Sequence, residues 1–125
     1  MLGEFQQSAL RIEIHASMND LRSSLTQISQ LKKWLWPQQL EPGMPTQLIL
    51  GLQFQTWLGP IPVNHQVDVL TENQLRLILT QGIDGFHEWH WGEGWVQSRM
   101  EGISLLPLNL GQTLTLYRLR QFFNH

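Results

Sequence analysis

Phe86-His87-Glu88-Trp89-His90-Trp91, then Gly92-Glu93-Gly94, then Trp95-Val96-Gln97-Ser98-Arg99-Met100 is the stretch on which the fold turns. Two strand-like runs flank a three-residue loop with glycine where positive φ would be needed, which is the pattern of a β-hairpin. A period of two along the second run puts Val96, Ser98 and Met100 on one face and Gln97, Arg99 and Glu101 on the other.

The same alternation extends toward the N-terminus. Leu75, Leu77 and Leu79 alternate with Arg76 and Thr80, and His65, Val67 and Val69 alternate with Asn64, Gln66 and Asp68. Residues 71–73 and 82–85 read as turns between these runs. From Thr46 on, Leu48, Leu50, Leu52, Phe54 and Leu58 share a face opposite Gln47, Gln53, Gln55 and Trp57, and Gly59-Pro60-Ile61-Pro62 then reverses the chain. Consecutive strands joined by turns this short form an antiparallel meander.

Before the meander, Leu10, Ile12, Ile14 and Ala16 alternate with Arg11, Glu13 and His15, a half-buried strand. Ser17 precedes Asp20 by three residues, a helix start whose carboxylate suits an N-terminus. Leu21, Leu25, Ile28, Leu31 and Leu35 follow at helical spacing, as one helix or two short ones broken near Ser29, and Pro37 ends them. Pro42, Gly43 and Pro45 make a turn. The final segment is ambiguous by propensity, since Thr113-Leu114-Thr115-Leu116-Tyr117 suits a strand. A strand would put Leu114 and Leu116 on one face with Arg118 and Arg120. Asn109 with Gln112 three residues on makes a capped helix start, and the arginines then lie near the favourable end. A helix is therefore expected, and the fold class is α+β.

The length, 125 residues, fits one domain with a core of its own. There are no cysteines, which excludes disulfides and thiolate chemistry and suits a reducing, cytoplasmic compartment. Residues 1–10 show no basic and then apolar signal segment, and no run approaches the roughly 18 apolar residues of a membrane helix. Eight Lys+Arg against ten Asp+Glu leave no basic stripe, so nucleic acid is not an expected partner. Six tryptophans stand out. A large aromatic core accounts for them more simply than a ligand does.

Three stretches carry a family likeness. They are Arg11-Ile12-Glu13-Ile14-His15-Ala16-Ser17, Leu31-Lys32-Lys33-Trp34-Leu35-Trp36-Pro37 and residues 43–52. In that order, and with the meander and final helix, the chain resembles the START-like superfamily, also called SRPBCC or birch-pollen-allergen-like. The resemblance implies a helix-grip fold: a curved antiparallel sheet wrapped around a C-terminal helix, with an apolar cavity between them and a short helical segment after the first strand. The sequence departs from that pattern in two places. The segment between Pro37 and Thr46 is short for the usual extra strand, and the last helix stops near Phe123. The superfamily has no shared catalytic motif, so the likeness bears on fold more than on function.

If Leu50, Phe54, Val67, Leu77 and Met100 face the helix, alternation carries His65, His87, Trp89 and Trp91 inward as well. Trp34, Trp36, Leu114 and Tyr117 are the expected wall residues on the helices. The expected ligand is a hydrophobic small molecule or lipid, with no cofactor and no metal. Each histidine could instead be satisfied locally, and the tryptophans could be core alone. His87-Glu88-Trp89-His90 is one residue short of the zinc-protease spacing and lies on a strand, which turns its histidines to opposite faces; Glu88 and His90 share a face and can pair. The alternatives are a cyclase or dehydratase on a polyketide-like or aromatic substrate, with His65 or His87 as acid/base, or an interaction module presenting Trp57 and Trp95. Oligomeric state is not legible.

Overall fold

The computed structural model describes residues 3–35 and 37–124. The element order is β1 (Glu4–Glu13), α1 (Met18–Thr26), α2 (Ile28–Trp34), β2 (Gln38–Leu40), β3 (Gln53–Leu58), β4 (Ile61–Leu70), β5 (Gln74–Gln81), β6 (Ile83–Gly92), β7 (Trp95–Ser104) and α3 (Leu108–Phe123). All seven strands join one sheet in the order β1-β7-β6-β5-β4-β3-β2. Every pairing is antiparallel, so β2 to β7 form the meander and β1 closes against its last strand. The sheet curls into a half-barrel, and the helices cover its concave face.

A glycine pair lets β6 and β7 approach closely. Gly85 and Gly102 face each other across β6 and β7. A Cβ on Gly85 would run into the Glu101 carbonyl oxygen, and one on Gly102 would lie 2.6 Å from the Asp84 carbonyl oxygen. Only glycine lets the two backbones approach this closely.

The helical segment is two helices, and the break falls at Gln27 rather than Ser29. Ser17 caps α1 as expected, its hydroxyl accepting from the Asp20 N–H at 3.1 Å. Gln27 is extended and forms an isolated bridge with Gln47. The Ile28 N–H donates to the Thr46 carbonyl at 3.0 Å, and the Leu48 N–H donates to the Thr26 carbonyl at 2.8 Å.

That junction corrects the reading of residues 46–52. They do not begin a regular strand of the meander; residues 46–48 are spent on the hinge between α1 and α2. The chain then turns at Leu50-Gly51, with Gly51 at φ +83, and β3 starts only at Gln53. Leu48 is buried, but Leu50 is 66% exposed. The alternation was real in the sequence, but only its end meets the sheet: the Gly51 N–H donates to the Val67 carbonyl and the Leu52 carbonyl accepts from the Val67 N–H, both at 2.9 Å.

Other corrections are smaller. A bulge between Val67 and Val69 pairs Val69 with outward Arg76, so Val69 leaves the inner face. The turn expected over residues 82–85 sits at Gln81-Gly82, and β6 begins at Ile83. The Glu93-Gly94 hairpin has two loop residues rather than three, with Gly94 at φ +79. The short segment after Pro37 still contributes a strand, the three-residue β2.

The final helix forms and ends at Phe123, but its capping differs from the sequence reading. Pro107 holds the cap position and brings no side-chain hydrogen bond. The Leu108 N–H instead donates to Oε1 of Gln6, on β1, at 2.9 Å, and the Gln6 amide donates to the Leu106 carbonyl at 2.9 Å. Asn109 donates to the Ser8 hydroxyl instead. The buried face of α3 is Leu108, Gln112, Leu116 and Leu119, not the expected wall residues Leu114 and Tyr117.

Candidate ligand-binding site

A cavity of about 540 Å³ lies between the concave face of the sheet, α2 and the first half of α3. Its floor is built by the inward residues of the middle strands: Phe54, His65, Leu77, His87, Trp89 and Met100 all line it. Cross-strand register explains the grouping, since Phe54 pairs with His65, Leu77 with His87, and His87 with Met100. Trp34 meets Trp89 edge-to-face at 6.0 Å and is pinned by its indole N–H donating to the Ser24 carbonyl at 2.9 Å. Leu110, Leu114 and Gly59 are lining residues that are also exposed, so the cavity reaches solvent at that rim.

Three of the residues expected at the site are elsewhere. Leu50 lies in the surface turn. Val67 is buried in the core beside Leu77 but does not line the cavity. Tyr117 is 58% exposed on the outer side of α3. Leu114 stands at the rim, 39% exposed, rather than in the wall. Trp91 is inward and fully buried but does not line the cavity. The wall position expected for Trp36 lies outside the described residues.

No Asp, Glu, Lys or Arg lines the cavity among the described residues. Its polar groups form two short chains. In the first, Gln38 Nε2 donates to Thr56 Oγ1 at 2.6 Å, and Thr56 Oγ1 contacts His65 Nε2 at 2.8 Å. The His65 ring stacks on Phe54 with centroids 4.7 Å apart, and its Nδ1 is sealed without a partner. In the second, His87 Nε2 lies 2.7 Å from Ser98 Oγ. Gln112 Nε2 donates to the Ser8 carbonyl at 3.1 Å, the Ser98 carbonyl at 3.2 Å and the Ser98 hydroxyl at 3.1 Å. The Trp89 ring sits 4.6 Å from that of His87.

Burial pushes the His65 pKa down to about 4. Burial, reinforced by the neighbouring His65, pushes His87 down to about 3. Both rings are therefore neutral at neutral pH. His90 is on the opposite face from His87 and pairs with Glu88 at 2.9 Å, as its spacing suggested.

Thr56, Gln38 and Gln112 escaped the sequence reading as site residues. Gln112 carried a usable signal: it lies four residues from both Leu108 and Leu116, on the face that the helix buries. Gln38 carried none, because only the β2–β3 pairing brings it to Thr56.

No family model matches the sequence, and no curated protein matches it significantly. Solved structures do. CV1439 from Chromobacterium violaceum superposes with a TM-score of 0.75 at 15% identity, over 95% of this chain and 97% of that one. The Aha1 dimer from Colwellia psychrerythraea gives 0.67 at 16% identity, over 94% and 96%. DynU16, a protein of the dynemicin biosynthetic locus, gives 0.73 at 12% identity over 94% of this chain, which spans 47% of that longer one. A curved seven-stranded antiparallel sheet, two helices after the first strand and a long C-terminal helix across the concave face define the helix-grip class. The chain has the helix-grip fold that the resemblance to the START-like, or SRPBCC, superfamily implied.

Proposed function

We propose that the protein binds a hydrophobic small molecule or lipid in the cavity between the sheet and α3. The observation that carries this is an apolar, uncharged space of about 540 Å³ that reaches solvent at one rim. Small-molecule sites are concave, largely apolar and fitted with a few placed polar groups, and their volumes fall in this range. Proton transfer by His65 or His87, as a cyclase or dehydratase would use it, has less support. Both rings are poor bases at pKa values of about 4 and 3, and Nε2 of each is occupied by a hydroxyl. The interaction-module reading is weakened at Trp95, whose ring is covered by the Arg11 guanidinium 4.1 Å from its centroid.

The test is native mass spectrometry of the protein from its own source for a retained molecule, followed by titration with a panel of apolar probes. Saturable binding is expected, and Trp89→Ala should change selectivity toward bulkier probes by enlarging the site. Absence of saturable binding across the panel would sink the proposal.

A further inference from the structure

The two polar chains differ in one respect that decides what the cavity can recognise. Gln112 Nε2 faces two backbone carbonyls, which can only accept, so the orientation of this amide is fixed and Nε2 is a donor. The Ser98 hydroxyl accepts from it and is fully buried. Among the described residues its own hydrogen has one acceptor within reach, His87 Nε2 at 2.7 Å. A buried hydroxyl left undonated costs free energy, so Ser98 donates and His87 Nε2 accepts. A neutral imidazole that accepts at Nε2 carries its hydrogen on Nδ1. Among the described residues His87 Nδ1 has no partner, and it is not one of the sealed, unpartnered atoms, whereas His65 Nδ1 and Gln112 Oε1 are. His87 is partly accessible and lines the cavity, between Leu77 on β5 and Met100 on β7. An N–H donor is thus presented to a largely apolar space.

We infer that the ligand is an uncharged apolar molecule carrying a carbonyl-type hydrogen-bond acceptor, which His87 Nδ1–H receives; this rests on the ligand-binding reading above. The acceptor follows from the donor. The absence of charge follows from the lining, which offers an anion no Lys or Arg and a cation no Asp or Glu. A charged group entering such a space loses its hydration without an ion to replace it. The His87 ring does not supply the missing cation, because burial keeps it neutral.

Three probes of nearly one shape separate these claims: ethylpyrene, acetylpyrene and pyrene carboxylate, measured by equilibrium dialysis near neutral pH against the full chain. Acetylpyrene should bind roughly three- to tenfold more tightly than ethylpyrene, the worth of one hydrogen bond. Pyrene carboxylate should bind more weakly than acetylpyrene. His87→Phe should bring the acetylpyrene-to-ethylpyrene ratio close to one. Nitrogen-15 spectra of the wild-type imidazoles give a readout that needs no ligand and no variant: His87 should show the Nδ1–H form, and Ser98→Ala should loosen that preference. Equal affinity for the ketone and the hydrocarbon, tightest binding of the carboxylate, or an Nε2–H ring at His87 would each overturn the inference while leaving a cavity that binds. Failure of all three probes would bring down the ligand-binding reading, and this one with it.

Discussion

His65 and His87 show how much a strand position can change a side chain's chemistry. An imidazole in an unfolded chain titrates near 6.5, and in the fold these two titrate at about 4 and about 3. Between those values the unfolded state binds more protons than the native state, so stability rises with pH. The contribution is complete above about pH 6.5, is lost progressively below it, and is gone once the pH has fallen through about 4 for His65 and about 3 for His87. At about pH 5 the loss is roughly 2 kcal/mol per ring. The urea midpoint should therefore drop clearly from pH 7 to about pH 5, and the drop should shrink by about half in His87→Phe. A midpoint flat across that range in the wild type would contradict the burial described for both rings. His65 and His87 were legible as inward residues from alternation alone. Their loss of charge was not, because it comes from burial beneath elements distant in the chain.

Elements kept their identity more faithfully than their boundaries. Leu48 and Leu50 look equivalent in a period-two reading, yet Leu48 is 3% exposed and Leu50 66%. Leu48→Ala should cost about 2–5 kcal/mol, whereas Leu50→Ala should stay within about 0.5 kcal/mol. Chemical denaturation of the two variants side by side checks this, and equal losses would return Leu50 to the core. The start of α3 makes a similar point. Pro107 supplies no capping side chain, and Gln6, some hundred residues earlier, holds both the Leu108 N–H and the Leu106 carbonyl. Gln6→Ala should cost about 1 kcal/mol, as loss of a cap does, while Asn109→Ala should cost less. Thermal unfolding that ranks Asn109 above Gln6 would restore the cap read from the sequence. Nothing local to residues 107–112 could have disclosed a cap that arrives from another strand.

At the scale of the molecule, the cavity exists because the two halves of α3 differ. Leu116 and Leu119 fill the space beneath the second half. The first half borders the cavity instead, with Leu108, Gly111 and Gln112 among the lining residues. With a net charge of −2 and no charged group on the lining, binding of a neutral apolar probe should change little between low and moderate salt. A steep salt dependence in the same titrations would point to an electrostatic surface site instead. By itself the sequence determined the α+β class, the antiparallel meander, the cap at Ser17 and the inward faces of β4 to β7 before the bulge. Those features are local: a period of two, a turn residue or a cap is complete within a few neighbours. Tertiary structure decided the rest, namely the hinge that took residues 46–48, the register flip at Val69, the buried face of α3 and the donor that His87 turns to the cavity. Each depends on partners distant in the chain, whose approach no local pattern encodes.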